Sequence, residues 1–191
     1  YLKANPSVER SFTKNGSLYY LKSIDKNGKP VYINTKSNIE YGELIKANTL
    51  YSGGSIGAAI TGTGMVVGVW DGGQVKATHE LLTGKVTMQA GQTVTSVGGD
   101  NHMTHVSGTI VGKELTSNGA IDGTDRATAR GIAYNATAQC YDWDNDIAEM
   151  TTFATDGYLI SNHSYGMGNG TNQDAWTFGA YNNTAMQWDA M

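Results

Sequence analysis

A nearly continuous apolar run, Met65 to Trp70, constrains the fold of this chain more than any other segment. A run this short, without polar alternation, is typical of a strand that is buried on both faces of a parallel sheet. Patterns of helix, strand, helix and strand follow it, and this alternation predicts an α/β protein. The predicted elements are a helix over 102–113, a strand over 137–143, a helix over 147–155, a strand over 158–166 and a helix that starts near 177.

The residues before this run predict an arm that is separate from the parallel sheet. Two apolar stretches, 18–24 and 31–33, flank Asn27 and Gly28, and Asn-Gly between two strands is a hairpin signal. The following residues are rich in Gly, Ser, Thr and Asn, with a short helix predicted over 41–47. We therefore expect an N-terminal β-hairpin arm over 1–63 and a second unit over 64–191.

Composition restricts the classes of partner. The chain has 191 residues, 25 glycines and a net charge of −4, with no cluster of basic residues, which argues against a nucleic-acid partner. No apolar run approaches the roughly 20 residues needed to cross a bilayer, so no membrane span is expected. Cys140 is the only cysteine and predicts a small buried hydrophobe. Scarce cysteine and low charge suit a secreted bacterial protein.

Two residues carry the chemistry that the sequence suggests. Asp71 ends the apolar strand, and ligands of open parallel sheets bind outside such carboxyl ends. His102 begins the next predicted helix. The positive end of the helix dipole there favours the neutral imidazole, which is the form that can accept a proton. Together they would form an acid-oriented general base. Taken singly, Asp71 could have no role beyond capping a turn with Gly72 and Gly73, and a histidine at a helix start is more often structural than catalytic. The small residues Ser107, Gly108 and Thr109 predict a helix that lies close to the sheet.

Two other arrangements deserve comparison. His105 lies one helical turn after His102, so these two histidines and Asp71 could form a metal triad. No glutamate accompanies the pair as it does in the usual zinc helices, which makes this alternative weaker. Residues 53–57 fit the G-x-S-x-G pattern around Ser55. That pattern needs a strand before it and a helix after it, and neither is predicted, so we expect a glycine-rich loop.

Taken together, four segments resemble the subtilisin-like serine proteases (subtilases, the S8 peptidase family). Residues 65–73 resemble the strand that ends in the family's Asp-x-Gly, and 102–109 resemble His-Gly-Thr-His-Val-Ala-Gly-Thr, with Met103 in place of a glycine. Residues 130–136 resemble Gly-Val-Ala-Pro-x-Ala without the proline, and 160–166 resemble Val-Ile-Asn-x-Ser-x-Gly. The order of acid before histidine also agrees with the family.

This resemblance implies a subtilisin-like parallel sheet flanked by helices, with Asp71 and His102 as catalytic acid and base. It implies that Ser164, Tyr165 and Gly166 bind the backbone of a polypeptide substrate by strand addition. The family's Gly-Thr-Ser nucleophile motif and its Ala-Ala-Gly-Asn segment are absent from these 191 residues. In the family both follow the Ser-x-Gly strand. The catalytic domain would therefore be incomplete in this chain, which would be its N-terminal half, partnered by the C-terminal half.

The resemblance implies no cofactor for the chemistry. Subtilases often carry structural calcium, and the oxygen-rich loop 118–125 could bind it, although the same residues suit a solvated turn equally well. The alternative function is a catalytically inactive subtilase-like fragment that binds a peptide or a partner subunit.

Overall fold

The computed structural model describes residues 1–14, 17–24, 27–35, 38–92, 100–115, 129–165, 176 and 179–191. Two sheets form within these ranges. One is antiparallel and three-stranded, and the other is parallel and four-stranded with helices against its faces. This arrangement confirms the general α/β class.

The antiparallel sheet lies near the N-terminus. Its strands are β1 (Ser11–Lys14), β2 (Ser17–Ile24) and β3 (Pro30–Thr35), in that spatial order. The pairing of β2 with β3 confirms the hairpin expected around Asn27 and Gly28. Strand β1 was not predicted, because its four residues are mostly polar and too few to show a period.

Two short helices follow, α1 (Asn38–Leu44) and a 3-10 helix (Ala47–Leu50), where the sequence predicts one helix over 41–47. The chain after them is hydrogen-bonded to residues close to the parallel sheet. The Tyr51 hydroxyl donates to the Ile132 carbonyl at 2.7 Å, and the Asn135 amide donates to the Thr61 carbonyl at 3.0 Å.

The parallel sheet consists of β4 (Val66–Asp71), β5 (Val86–Met88), β6 (Thr137–Asp142) and β7 (Ile160–His163). Its spatial order is β5-β6-β4-β7. After β4 the chain forms β5 and β6 on one side of it, and then returns to form β7 on the other side. The connections therefore diverge at the carboxyl end of β4, which is where open α/β sheets bind their ligands.

The helices of this unit are α2 (Asp100–Val111), α3 (Asp146–Thr155) and α4 (Asn183–Asp189). Side chains alternate across β4, as the pleat requires. Val67 and Val69 join the buried core that includes residues of α2, whereas Trp70 faces Phe153 of α3 with ring centroids 5.5 Å apart. Within the described ranges, no helix has the length and apolar character that crossing a membrane requires.

Candidate active site

Asp71 is the last residue of β4, and the alternation along that strand turns its side chain to the α2 face. This side chain is only 3% exposed. A buried carboxylate is costly unless donors surround it, and the first donor is the Gly72 amide, 2.7 Å from Oδ1. The glycine after the strand thus allows the acid to be capped by its own turn.

His102 is the third residue of α2 and supplies the second donor. Its Nδ1 lies 2.8 Å from Oδ1 and 2.8 Å from Oδ2 of Asp71. The next residue, Met103, is fully buried in the core and anchors this turn of the helix. The Lys76 amide donates to the Thr104 hydroxyl at 2.8 Å, which ties α2 to the chain that follows β4. The structure therefore brings Asp71 and His102 into direct contact.

The two partners differ sharply in exposure. The His102 side chain is 56% exposed, although the carboxylate that orients it is buried. Because a carboxylate only accepts hydrogen bonds, Nδ1 is the donor, and Nε2 of the neutral ring holds the free lone pair. No group within the described ranges is hydrogen-bonded to Nε2. The arrangement can therefore act as a base toward a hydroxyl that approaches from outside.

A second buried carboxylate lies on the neighbouring strand. Asp142 ends β6 in register with Asp71 and is equally inaccessible. Its Oδ1 accepts the Asp144 amide at 2.8 Å, so it caps the turn after its own strand. The last residue of β4 and the last residue of β6 are thus both buried acids. Asp71 in β4 is hydrogen-bonded to a histidine, whereas Asp142 in β6 caps a turn.

Two aromatic residues border the site. Trp143 packs directly over Gly72, where a Cβ would collide with the indole, and it is 45% exposed. Its ring centroid lies 6.1 Å from that of Tyr165 at an interplanar angle of 64°. Burial raises the pKa of the Tyr165 phenol, a hydrogen bond to Asp146 raises it further, and the charge of Asp71 adds to the effect.

The predicted substrate-binding residues follow β7 directly. Ser164 is exposed, and its hydroxyl accepts the Asn162 amide group at 2.9 Å. Tyr165 is partly buried beside Trp143. Gly166 and the proposed calcium loop over 118–125 lie outside the described residues. Binding of substrate by this segment stays a prediction.

The alternative arrangements do not assemble. Among the described residues, no three His, Cys, Asp or Glu side chains are grouped so that they could hold a metal ion, and His105 is exposed. Ser55 lies in turns that follow the 3-10 helix, and the segment directly before it is that helix, not a strand. The expected glycine-rich loop is therefore present, and the strand-turn-helix context of a nucleophile elbow is not.

The small residues of α2 differ in their contacts. A Cβ at Gly108 would meet nothing within 4 Å, so the lack of a side chain there is not what brings α2 close to the sheet. Ser107, another of the small residues named in the expectation, is buried, and its Oγ lies 3.7 Å from the Sγ of Cys140 in β6. Cys140 is buried as predicted, and burial raises the pKa of its thiol to about 11.

Sequence reasoning assigned a role to Tyr165 but missed Trp143, the other aromatic residue at the border of the site. Trp143 comes directly after the carboxyl end of β6, as Gly72 does after β4. A large aromatic residue directly after the carboxyl end of a predicted buried strand could therefore have indicated that Trp143 borders the site.

Comparison with protein-family models and with curated proteins gives no match. The geometry of the site and the motifs in the chain are therefore the observations that bear on its function.

Proposed function

We propose that this chain supplies the acid and the base of a secreted bacterial serine endopeptidase of the subtilisin-like type. The nucleophilic serine would come from polypeptide outside residues 1–191. The observation that carries the proposal is the contact between the buried carboxylate of Asp71 and Nδ1 of the half-exposed His102, 2.8 Å apart. An acid, an imidazole and an open second nitrogen are what activation of a hydroxyl requires.

In the proposed reaction, Nε2 of His102 takes the proton of the serine hydroxyl as the oxygen attacks the scissile carbonyl. The same nitrogen then returns the proton to the leaving amine. Asp71 holds Nδ1 protonated and stabilises the imidazolium that forms between these steps. Its burial strengthens that effect, because charges interact more strongly where water is excluded.

Substrate binding is proposed at the carboxyl side of β7. In the described part of the chain, β7 is the outermost strand of the parallel sheet next to β4. An extended peptide could pair with backbone of the segment Ser164 to Gly166, which follows this strand. Ile160 of β7 is 47% exposed, so the remaining polypeptide of the catalytic domain would cover apolar surface here.

Labelling with a fluorophosphonate tests the proposal. If the proposal holds, the complete gene product should be labelled on a serine outside residues 1–191. The 191-residue chain alone should not react, and a label at Ser55 would overturn the assignment.

His102→Ala and His105→Ala form a matched pair for this assay. Both remove an exposed imidazole from α2, one helical turn apart, but only His102 contacts Asp71. Loss of the base should lower kcat for peptide hydrolysis by about 10⁶, the order seen when a catalytic histidine is removed. His105→Ala should keep its activity. Equal rates in the two variants would refute His102 as the base.

A further inference from the structure

A chain of hydrogen bonds behind the site links β7 to α3. The Tyr165 hydroxyl lies 2.6 Å from Oδ2 of Asp146 and 3.0 Å from Nδ1 of His163. Because the carboxylate can only accept, the single phenolic proton goes to Asp146. The tyrosine oxygen then accepts from His163, so this imidazole carries its proton on Nδ1.

Two indole rings pack against the imidazole of His163. Its ring stacks on Trp70 with centroids 5.0 Å apart and 12° between the planes, and Trp188 meets it edge to face at 4.4 Å. Its Nε2 is buried and has no hydrogen-bond partner among the described residues. A lone pair tolerates such a place better than an N–H does, because an orphaned donor is the rarer defect. Ring packing and hydrogen bonding therefore favour the same tautomer.

Burial also lowers the pKa of His163, although the negative charge of Asp146 opposes this shift. Burial beside the two indoles thus favours the neutral ring. Asp146 is in turn fixed at the start of α3, where its Oδ1 accepts the Ile147 amide at 2.8 Å. Both ends of the chain of hydrogen bonds are therefore anchored.

Of the three hydrogen-bonded residues, Tyr165 is the one next to the candidate site. It lies beside Trp143, which packs over Gly72, and Gly72 is the residue that follows Asp71. Ser164 and Tyr165 belong to no strand in the described part of the chain. Two contacts of side chains fix this short segment: the Asn162 amide of β7 donates to the Ser164 hydroxyl, and the Tyr165 phenol is hydrogen-bonded to Asp146 and His163.

We propose that Asp146 and His163 are positioning residues, which fix Tyr165 and thereby hold Ser164 and Tyr165 where the substrate backbone binds. The inference rests on the proposed function, since it gives that segment its role. Neither residue touches the reacting atoms. Loss of the anchor should therefore weaken substrate binding more than it slows the chemical step, and KM should change more than kcat.

The kinetic test compares Tyr165→Phe with Tyr158→Phe in the complete gene product. Tyr158 stacks on Phe153, and its hydroxyl makes no hydrogen bond within the described ranges. Tyr165→Phe should raise KM about tenfold, the factor expected for a lost hydrogen bond to a charged group, with kcat within about threefold of the parent value. Asp146→Asn should also raise KM, whereas Tyr158→Phe should leave KM unchanged.

A spectroscopic test stands apart from catalysis. Long-range ¹⁵N–¹H correlation spectra of the complete gene product should show His163 protonated on Nδ1 at neutral pH. Tyr165→Phe should shift the ring toward the Nε2–H form that free histidine prefers. An Nε2–H ring in the parent chain would overturn the proposed network.

The outcomes separate the two proposals. A complete gene product without peptidase activity overturns the proposed function and the positioning role with it. An active enzyme whose KM is the same with Tyr165→Phe as with Tyr158→Phe overturns the positioning role alone.

Discussion

Gly68, in the middle of β4, is a position where one added methyl group should destabilise the fold. A Cβ there would lie 2.9 Å from Cη2 of Trp70 and 3.1 Å from Cζ of Phe153. Two contacts hold the Trp70 ring in place. Trp70 stacks on Tyr141 at 4.3 Å, and its Nε1 donates to Glu149 at 2.9 Å.

The size of the effect of Gly68→Ala follows from two opposing contributions. Forcing a methyl into a packed core costs up to about 3 kcal/mol. Replacing glycine in a strand returns at most about 1 kcal/mol, because the unfolded chain loses conformational freedom. The free energy of unfolding should therefore fall by about 2 kcal/mol. With a urea dependence of roughly 2 kcal/mol per M, the unfolding midpoint should drop by about 1 M.

Gly108→Ala is the matched control. It adds the same methyl in α2, where nothing lies within 4 Å, and alanine should stabilise the helix by up to about 1 kcal/mol. Urea unfolding followed by tryptophan fluorescence should therefore show midpoints that move in opposite directions. If Gly68→Ala were as stable as Gly108→Ala, the close packing of Trp70 and Phe153 around β4 would be refuted.

Three further predictions concern single side chains. Because burial raises the pKa of Cys140 to about 11, only about one thiol in a thousand is ionised at pH 8, and a maleimide should label it only after unfolding in urea. Burial lowers the pKa of His163, so the unfolded state binds more protons, and the free energy of unfolding should fall as the pH drops below about 6.5. Arg130→Lys should cost about 1 kcal/mol in urea unfolding, because lysine lacks the planar group that packs on Tyr51 and Tyr134, 4.9 and 4.3 Å away.

Each of these has a result that would contradict it. Labelling of Cys140 in the native chain as fast as in urea would contradict its burial. His163→Gln cannot titrate, so it should lose less stability than the parent between pH 7 and pH 5, and equal losses would refute the buried neutral imidazole. An Arg130→Lys chain with the parent midpoint would mean that the two tyrosine contacts contribute little.

The central unit follows closely from its sequence. The apolar run before Asp71 predicts β4 to within one residue, since a strand buried on both faces has almost no polar positions. The helix that carries His102 was expected over 102–113 and is found over Asp100–Val111. The contact between these two residues followed from strand-and-helix order together with the motif resemblance.

Short elements and long-range contacts were not predictable in the same way. Strand β5 spans only Val86–Met88, too few residues for any period to appear, and it exists because β6 offers it a parallel partner. The contacts of Tyr165 with Asp146 and His163 depend on how α3 packs against the sheet. Spacing along the chain does not encode that packing, so the sequence analysis assigned Tyr165 a role without finding what holds it.

The central claim is that buried Asp71 orients His102 for catalysis, and the most direct measurement of it is kcat for Asp71→Asn beside Asp142→Asn. Both variants neutralise a buried carboxylate at the same position of neighbouring parallel strands, but of the two, only Asp71 contacts an imidazole within the described ranges. Measured per folded molecule of the complete gene product, kcat should fall by about 10⁴ with Asp71→Asn and by less than about tenfold with Asp142→Asn. Equal losses in the two variants, or full activity with Asp71→Asn, would contradict the account.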